Sequence, residues 1–329
     1  MTTGQVDRFI VFGAGAVGGV VGARLAQSGH DVALVARGAH RDAIERNGLR
    51  IDDPDASATL ELPVTDDVAT LEPGPGDVVL VAVKSQHTPT AVEALAPFAP
   101  DLPVVCLQNG TSNEAALLRV FRDVYAVPVM LPATFLEPGV VQVASAPTSG
   151  ILDVGRFPSG LDERADAIAA AFAASTFESV ARPDPMRWKW RKLMLNLTNA
   201  ISAACGSLSG CRPILEPAWA EADAVVEAAG IDIATPEEEQ ERRGDHITMR
   251  PVGDNERGGG SSWQSLARGT GNIEVDHLNG EIVLQGRLHG VPTPVNEGLQ
   301  ELTRRMAASG AAAGSMTADE LATQILPTS

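Results

Sequence analysis

The first 180 residues alternate short apolar runs with amphipathic stretches. Phe9–Phe12 is wholly apolar, a glycine-rich turn follows, and Val17–Gln27 repeats its apolar positions at helical spacing before Gly29 stops it. Val32–Ala36 is apolar again, and "DVVLVAV" (Asp77–Val83) is almost unbroken, as in a parallel strand covered on both faces. A helix is predicted over Thr88–Ala96 and a strand over Val104–Leu107. Thr111 and Glu114 have the spacing of a capping box that would open the next helix. Val124–Met130 and Val140–Val143 read as further strands. At "ARPDP" (Ala181–Pro185) the alternation ends, and helices are predicted over Met186–Ala204, Pro213–Ala229, Trp263–Arg268, Ile273–His289 and Val295–Ala308. Ser261 and Ser262 are placed to cap the third of these. Thr235–Gly260 is charged, rich in Gly and Pro and aperiodic, and reads as an irregular insertion near a site entrance. The pattern predicts an N-terminal Rossmann-type, doubly wound α/β domain over 1–182 and an all-α C-terminal domain over 183–329.

Composition narrows the choice of partners. A chain of 329 residues, 44% hydrophobic, can build two cores, and 4% aromatic content makes them aliphatic. The net charge of −17 repels nucleic acid and anionic membrane, and no Lys/Arg-rich run reverses this locally. An anionic ligand therefore needs a few well-placed cations. The three cysteines are scattered, with neither a disulfide framework nor zinc spacing, so no metal is expected and a reducing compartment fits. Phe9–Ala23 is uncharged like a signal-peptide core, but its five glycines suit a strand–turn–helix better. No later run approaches a membrane span, and the expected location is cytoplasmic.

Three local patterns suggest chemistry. Gly13-Ala14-Gly15-Ala16-Val17-Gly18 follows a strand and opens a helix, the context in which GxGxxG reads as a dinucleotide site. Gly13 would make the tight turn, Gly15 would let backbone approach a pyrophosphate, and Gly18 would let helix pack on strand. The second strand ends at Arg37, where an NAD site would want an acid; a guanidinium there suits the 2′-phosphate of NADP, though it could also be a solvated surface arginine. Lys84 and Asn109 end two further strands, on the side where such sheets bind ligands, and could equally be a solvated lysine and an ordinary turn. Lys192, Asn196 and Asn199 fall at i, i+4 and i+7, within an arc of about 60° on a largely apolar helix. Glu274 opens a helix, where an acid is usually dipole compensation.

Together, "GAGAVG", "VKS", "QNG", "WRKLMLN", "SS…IEVDHLNG" and "HGVPTPVN", in this order, resemble the ketopantoate reductase family, 2-dehydropantoate 2-reductases, over roughly Phe9 to Met306. The resemblance implies NADPH-dependent reduction of a 2-oxo acid, by default ketopantoate to pantoate in pantothenate biosynthesis. It implies that Lys192 polarises the ketone and delivers the proton, and that Glu274 binds substrate and supports the lysine. Asn109 would line the nicotinamide and substrate side, and Asn196 and Ser262 the substrate. Arg37 and Lys84 would contact cofactor, and a homodimer through the helical domain is implied on the same ground. On this reading the Lys192 stripe faces the interdomain cleft, where Asn199 can bond substrate oxygens or hold the lysine. The chain departs from the family pattern with Ala200 at i+8, Gly210 and Gly259 where two substrate-gripping asparagines are usual, and Ile273 before Glu274. These departures leave open a paralogous reductase of another 2-oxo acid, or an opine-type enzyme; a non-catalytic NADPH sensor is the reading from a different class.

Overall fold

The computed structural model describes residues 6–253, 259–269 and 271–326. Residues 254–258, part of the expected insertion, lie outside the described residues. Contacts divide the chain into two compact units, one formed by 1–189 with 236–257 and the other by 190–235 with 258–329. Against an expected single cut after 182, the chain re-enters the first unit at Pro236.

The first unit is built on a seven-stranded sheet. Its strands in chain order are β1 (Arg8–Phe12), β2 (Asp31–Val35), β3 (Val64–Thr65), β4 (Asp77–Val81), β5 (Val104–Cys106), β6 (Val124–Ala126) and β7 (Gly155–Arg156). They lie in the spatial order β7-β6-β5-β4-β1-β2-β3, parallel except for the β6–β7 pair. Alternate residues of each strand enter cores on opposite faces. Phe9, Val11, Val78 and Leu80 pack on one side, and Ile10, Phe12, Val79 and Val81 on the other. That double burial explains the unbroken apolar runs. Helices α1 (Ala16–Gln27), α2 (Gly38–Asn47), α3 (Thr88–Leu95), α4 (Asn113–Leu118) and α5 (Glu163–Ala173) belong to this unit.

Two small sheets complete it, and they correct one predicted strand. Val124–Met130 is not continuous: Val124–Ala126 is β6, whereas Val129–Met130 pairs with Gly150–Leu152 in another sheet. Val140–Val143 pairs with Leu49–Asp52 in the third sheet.

Helix α6 (Pro185–Asn196) starts in the first unit and ends in the second. The second unit continues with α7 (Thr198–Cys205), α8 (Arg212–Ala228), then α10 (Ser261–Ala267), α11 (Asn279–His289), α12 (Pro294–Ser309) and α13 (Ala318–Ile325). The predicted Met186–Ala204 helix is thus interrupted at Leu197, which keeps helical dihedrals (φ −59°, ψ −25°). Ile273–His289 is likewise two pieces, a 3-10 turn over Glu274–His277 and then α11. Gly260, not Ser261 or Ser262, stands at the N-cap of α10, without a side-chain cap bond.

The expected irregular insertion contains helix α9 (Pro236–Arg243). Ion pairs fix it within the first unit. Arg242 makes two hydrogen bonds to Asp153, at 2.9 and 2.7 Å, and Arg182 donates to the same carboxylate. Arg187 grips Glu238 bidentately at 2.9 and 2.7 Å. Burial pushes the Asp153 carboxyl up, but Arg242 and Arg182 outweigh it and hold it below the usual range. Asp153→Asn should therefore cost about 3 kcal/mol, since it leaves two partly buried guanidinium groups short of their counter-charge. Urea unfolding should report the loss, together with new proteolytic sensitivity around Arg243; unchanged stability would contradict it.

Candidate functional site

The crevice follows from strand order. Chain connectivity reverses at β1, which lies between β2 and β4, and open parallel sheets bind ligands outside the carboxyl ends at such a point. The sequence candidates of the first unit sit at the carboxyl ends of four neighbouring parallel strands. The glycine turn follows β1, Arg37 follows β2, Lys84 follows β4 and Asn109 follows β5.

Each of the three glycines of the turn has its own surroundings. Gly13 has φ +106°, and a Cβ there would lie 2.8 Å from Val83 Cγ1. At Gly18 a Cβ would meet the Gly13 carbonyl at 2.2 Å and Val11 Cγ1 at 2.9 Å, so helix and strand touch through a missing carbon. At Gly15 a Cβ would meet nothing within 4 Å. That open face lies at the N-cap of the twelve-residue α1, which no side chain caps and where Ala16 and Val17 form the first turn. A pyrophosphate fits such a place: backbone N–H groups and the positive dipole end face open space. Arg37 is exposed and is itself the N-cap of α2.

One histidine that the sequence did not single out buttresses this turn. The His40 ring bonds the Ala14 carbonyl through Nε2 at 2.7 Å and accepts the Gly139 N–H at Nδ1 at 2.9 Å. Only the neutral ring with its proton on Nε2 satisfies both partners. Phe135 packs against it at 4.4 Å between centroids.

Behind the strand ends lies a polar network. The Asn109 carbonyl accepts from Asn113 Nδ2 at 2.9 Å and from Ser85 Oγ at 3.2 Å. Gln108 Nε2 donates to the Val83 carbonyl (2.8 Å) and to Thr88 Oγ1 (2.9 Å), and that hydroxyl donates to Asn113 Oδ1 (2.8 Å). Lys84 stands at the N-cap position of the 3-10 turn Ser85–His87, without a side-chain cap bond. The expected Thr111–Glu114 capping box does not form. Thr111 Oγ1 has no hydrogen-bond partner among the described residues, and Ser112 precedes α4. Glu114 instead turns inward to Lys189, a buried ion partner 75 positions away.

In the second unit, Lys192 is half-buried and Asn196, one turn on, is buried. Asn199 stands at the start of α7 and donates from Nδ2 to Ser261 Oγ at 3.3 Å. Ser262 is 2% exposed, and its Oγ has no hydrogen-bond partner among the described residues. Glu274 is buried, and Arg268 feels it: burial lowers the Arg268 guanidinium while Glu274 opposes that shift. The interruption at Leu197 also has a partner. Asn279 Nδ2 reaches the Leu197 carbonyl at 3.4 Å and Asn296 Oδ1 at 3.1 Å. Asn296 in turn donates to Glu221 and to the Ala218 carbonyl.

The family profile described as "Ketopantoate reductase PanE/ApbA" matches residues 9–159, and its C-terminal counterpart matches 184–307. The chain belongs to the ketopantoate reductase family. Members of this oxidoreductase family include a 2-dehydropantoate 2-reductase of Halobacterium salinarum, 31% identical over 90% of this chain and 98% of the relative. Another, from Archaeoglobus fulgidus, is 31% identical over 91% of this chain and 98% of its own length. Among solved structures, a PanE/ApbA family ketopantoate reductase from Ralstonia eutropha has TM-score 0.77 at 30% identity, covering 92% of this chain and 99% of that one. A D-mandelate dehydrogenase bound to NADH and anilino(oxo)acetate has TM-score 0.79 at 21% identity, with 92% and 99% covered, which is a likeness of fold. No helix among the described residues is long and apolar enough to cross a membrane.

His40 gives the turn a pH dependence. Burial holds the ring below its ordinary 6.5, with the Ala14 bond opposing the shift. Below about pH 6.5 the unfolded chain thus binds a proton that the folded ring resists, and this contribution to stability is lost as pH falls. Urea midpoints at pH 5.5 and 7.5 should differ more in the wild type than in His40→Gln; an equal difference would contradict the assignment.

Proposed function

We propose that this chain reduces a 2-oxo acid to a 2-hydroxy acid with NADPH, and that 2-dehydropantoate is its default substrate. The observation that carries the reading is the convergence of the glycine turn, Arg37, Lys84 and Asn109 on four adjacent strand ends. The 2-dehydropantoate 2-reductases at 31% identity supply the substrate class.

The residues present fit the cofactor. Gly13–Gly18 would hold the pyrophosphate on the N-terminus of α1, with Arg37 on the ribose 2′-phosphate and Lys84 and Asn109 on the nicotinamide side. When bound, the reduced nicotinamide supplies the hydride that reaches C2 of the oxo acid. Lys192 polarises the C2 carbonyl with its ammonium and stabilises negative charge as it develops on oxygen. It then donates its proton to that oxygen and regains one from solvent. Asn196, Asn199 and Ser262 orient the substrate, and Glu274 binds it and supports the lysine. The Ser262 hydroxyl, without a hydrogen-bond partner among the described residues, suits a ligand oxygen. The site takes a small 2-oxo acid, in the cytoplasm, in a homodimer formed through the helical unit.

One observation favours a second substrate. At Gly259, where family members usually have asparagine, a Cβ would lie 2.4 Å from Trp263 Cγ. An asparagine side chain and this indole position exclude each other. A 2-oxo acid other than ketopantoate, gripped by fewer amides, fits that difference.

Lys192→Ala should cut turnover roughly a thousandfold on whichever member of a 2-oxo acid panel the wild type reduces, with NADPH affinity nearly unchanged. NADPH absorbance reads both properties, and intact turnover would reject the role. Tight NADPH binding with no oxidation across a panel that includes ketopantoate would favour a sensor instead. Arg37→Asp should weaken NADPH binding by about tenfold to a hundredfold and shift preference toward NADH. A surviving NADPH preference would reject the 2′-phosphate contact.

A further inference from the structure

Three consecutive residues of α6 are pinned within the first unit. Arg187 pairs with Glu238, Trp188 lies under the Arg182 guanidinium at 4.0 Å, and Lys189 pairs with Glu114. The last pair is unusual because both side chains are essentially excluded from solvent, at 2% and 0% exposure. A buried ion pair is weak evidence for stability, because desolvating two charges costs about as much as their attraction returns. Apolar residues would fill the same volume at least as favourably, so the direction of the bonds matters more than their energy.

Those bonds are specific. Lys189 Nζ donates to Glu114 Oε1 and, at 2.8 Å, to the main-chain carbonyl of Gln108, with Cys106 Sγ at 3.7 Å. Burial lowers the Lys189 ammonium, but the Glu114 carboxylate beside it opposes that shift and the net direction is upward, so it stays charged. Burial and Glu114 push the Cys106 thiol up, so it remains a thiol. The Gln108 carbonyl immediately precedes Asn109, and the Gln108 amide fastens Val83, the residue before Lys84. One ammonium thus holds the end of β5, and through Gln108 the end of β4. The same residue lies one helical turn before Lys192 on α6.

We infer that Lys189, locked by Glu114, is a positioning residue for the reaction: it fixes the Gln108–Asn109 strand end and the start of the helix that bears Lys192. The inference rests on the proposed function for the role of Asn109 and Lys192. Neither Lys189 nor Glu114 touches substrate or cofactor in this role, so their effect reaches turnover through the geometry of groups that do. Displacements of about 1 Å at such groups can cost a hundredfold in rate.

The test removes both charges together, so that no unpaired one is left buried. K189M/E114L should fold with a thermal midpoint near that of the wild type and bind NADPH within about twofold, while kcat falls about tenfold or more and KM changes less. Hydrogen exchange at the amides of 84–85 and 108–110 should rise in the same variant. K189M/E114Q serves in its place if the first variant does not fold. A folded double variant with kcat within about twofold of the wild type overturns the inference, since a merely structural pair would leave turnover alone. Unchanged exchange at 108–110 also overturns it, whatever the rate. If the wild type reduces no 2-oxo acid, the proposed function fails on its own, and the exchange comparison alone judges Lys189.

Discussion

Two missing β-carbons set the geometry of the nucleotide side. At Gly18 a side chain would collide with the Gly13 carbonyl and with Val11, and at Gly13 one would collide with Val83. Only their absence lets α1 begin directly above the end of β1, so that its positive end looks over the crevice rather than into a neighbouring strand. The other strand-end residues acquire meaning from that position. Arg37, Lys84 and Asn109 are ordinary surface candidates singly; they become a constellation because β2, β1, β4 and β5 are neighbours in the sheet.

The support behind this edge is polar, which is unusual so close to an aliphatic core. His40 ties the turn to Gly139, while Gln108, Thr88, Asn113 and Ser85 tie together the ends of β4 and β5. Such networks are costly if incomplete and rigid when satisfied. In the second unit, Asn279, Asn296 and Glu221 do comparable work at the junction of α6 and α7, where the helix is interrupted between Asn196 and Asn199.

Much of this was legible in the sequence because it is local or periodic. The strands of the main sheet are buried on both faces and therefore spell continuous apolar runs, and a glycine turn between strand and helix has one common use. What was illegible depends on distant partners. Thr111 and Glu114 have capping-box spacing, but Glu114 answers to Lys189, 75 residues away, and no local pattern encodes that. Pro236–Arg243 reads "PEEEQERR", polar on every side, so it has no apolar stripe to betray a helix; Asp153 and Arg187 hold it. Val124–Met130 looks continuous because both its halves are buried, although they join different sheets. In the second unit, Lys192, Asn196, Ser262 and Glu274 could be named from the order of motifs, whereas only the fold shows that Ser262 Oγ has no hydrogen-bond partner among the described residues.

The central proposal is that the ammonium of Lys192 serves the ketone that the nicotinamide reduces. A crystal structure of the ternary complex with NADP and a 2-oxo acid measures this directly. The account predicts Lys192 Nζ within about 3 Å of the 2-oxo oxygen, and the nicotinamide C4 facing the neighbouring carbon. A bound substrate whose 2-oxo group lies out of hydrogen-bond reach of Lys192, or a nicotinamide directed away from it, would contradict the account.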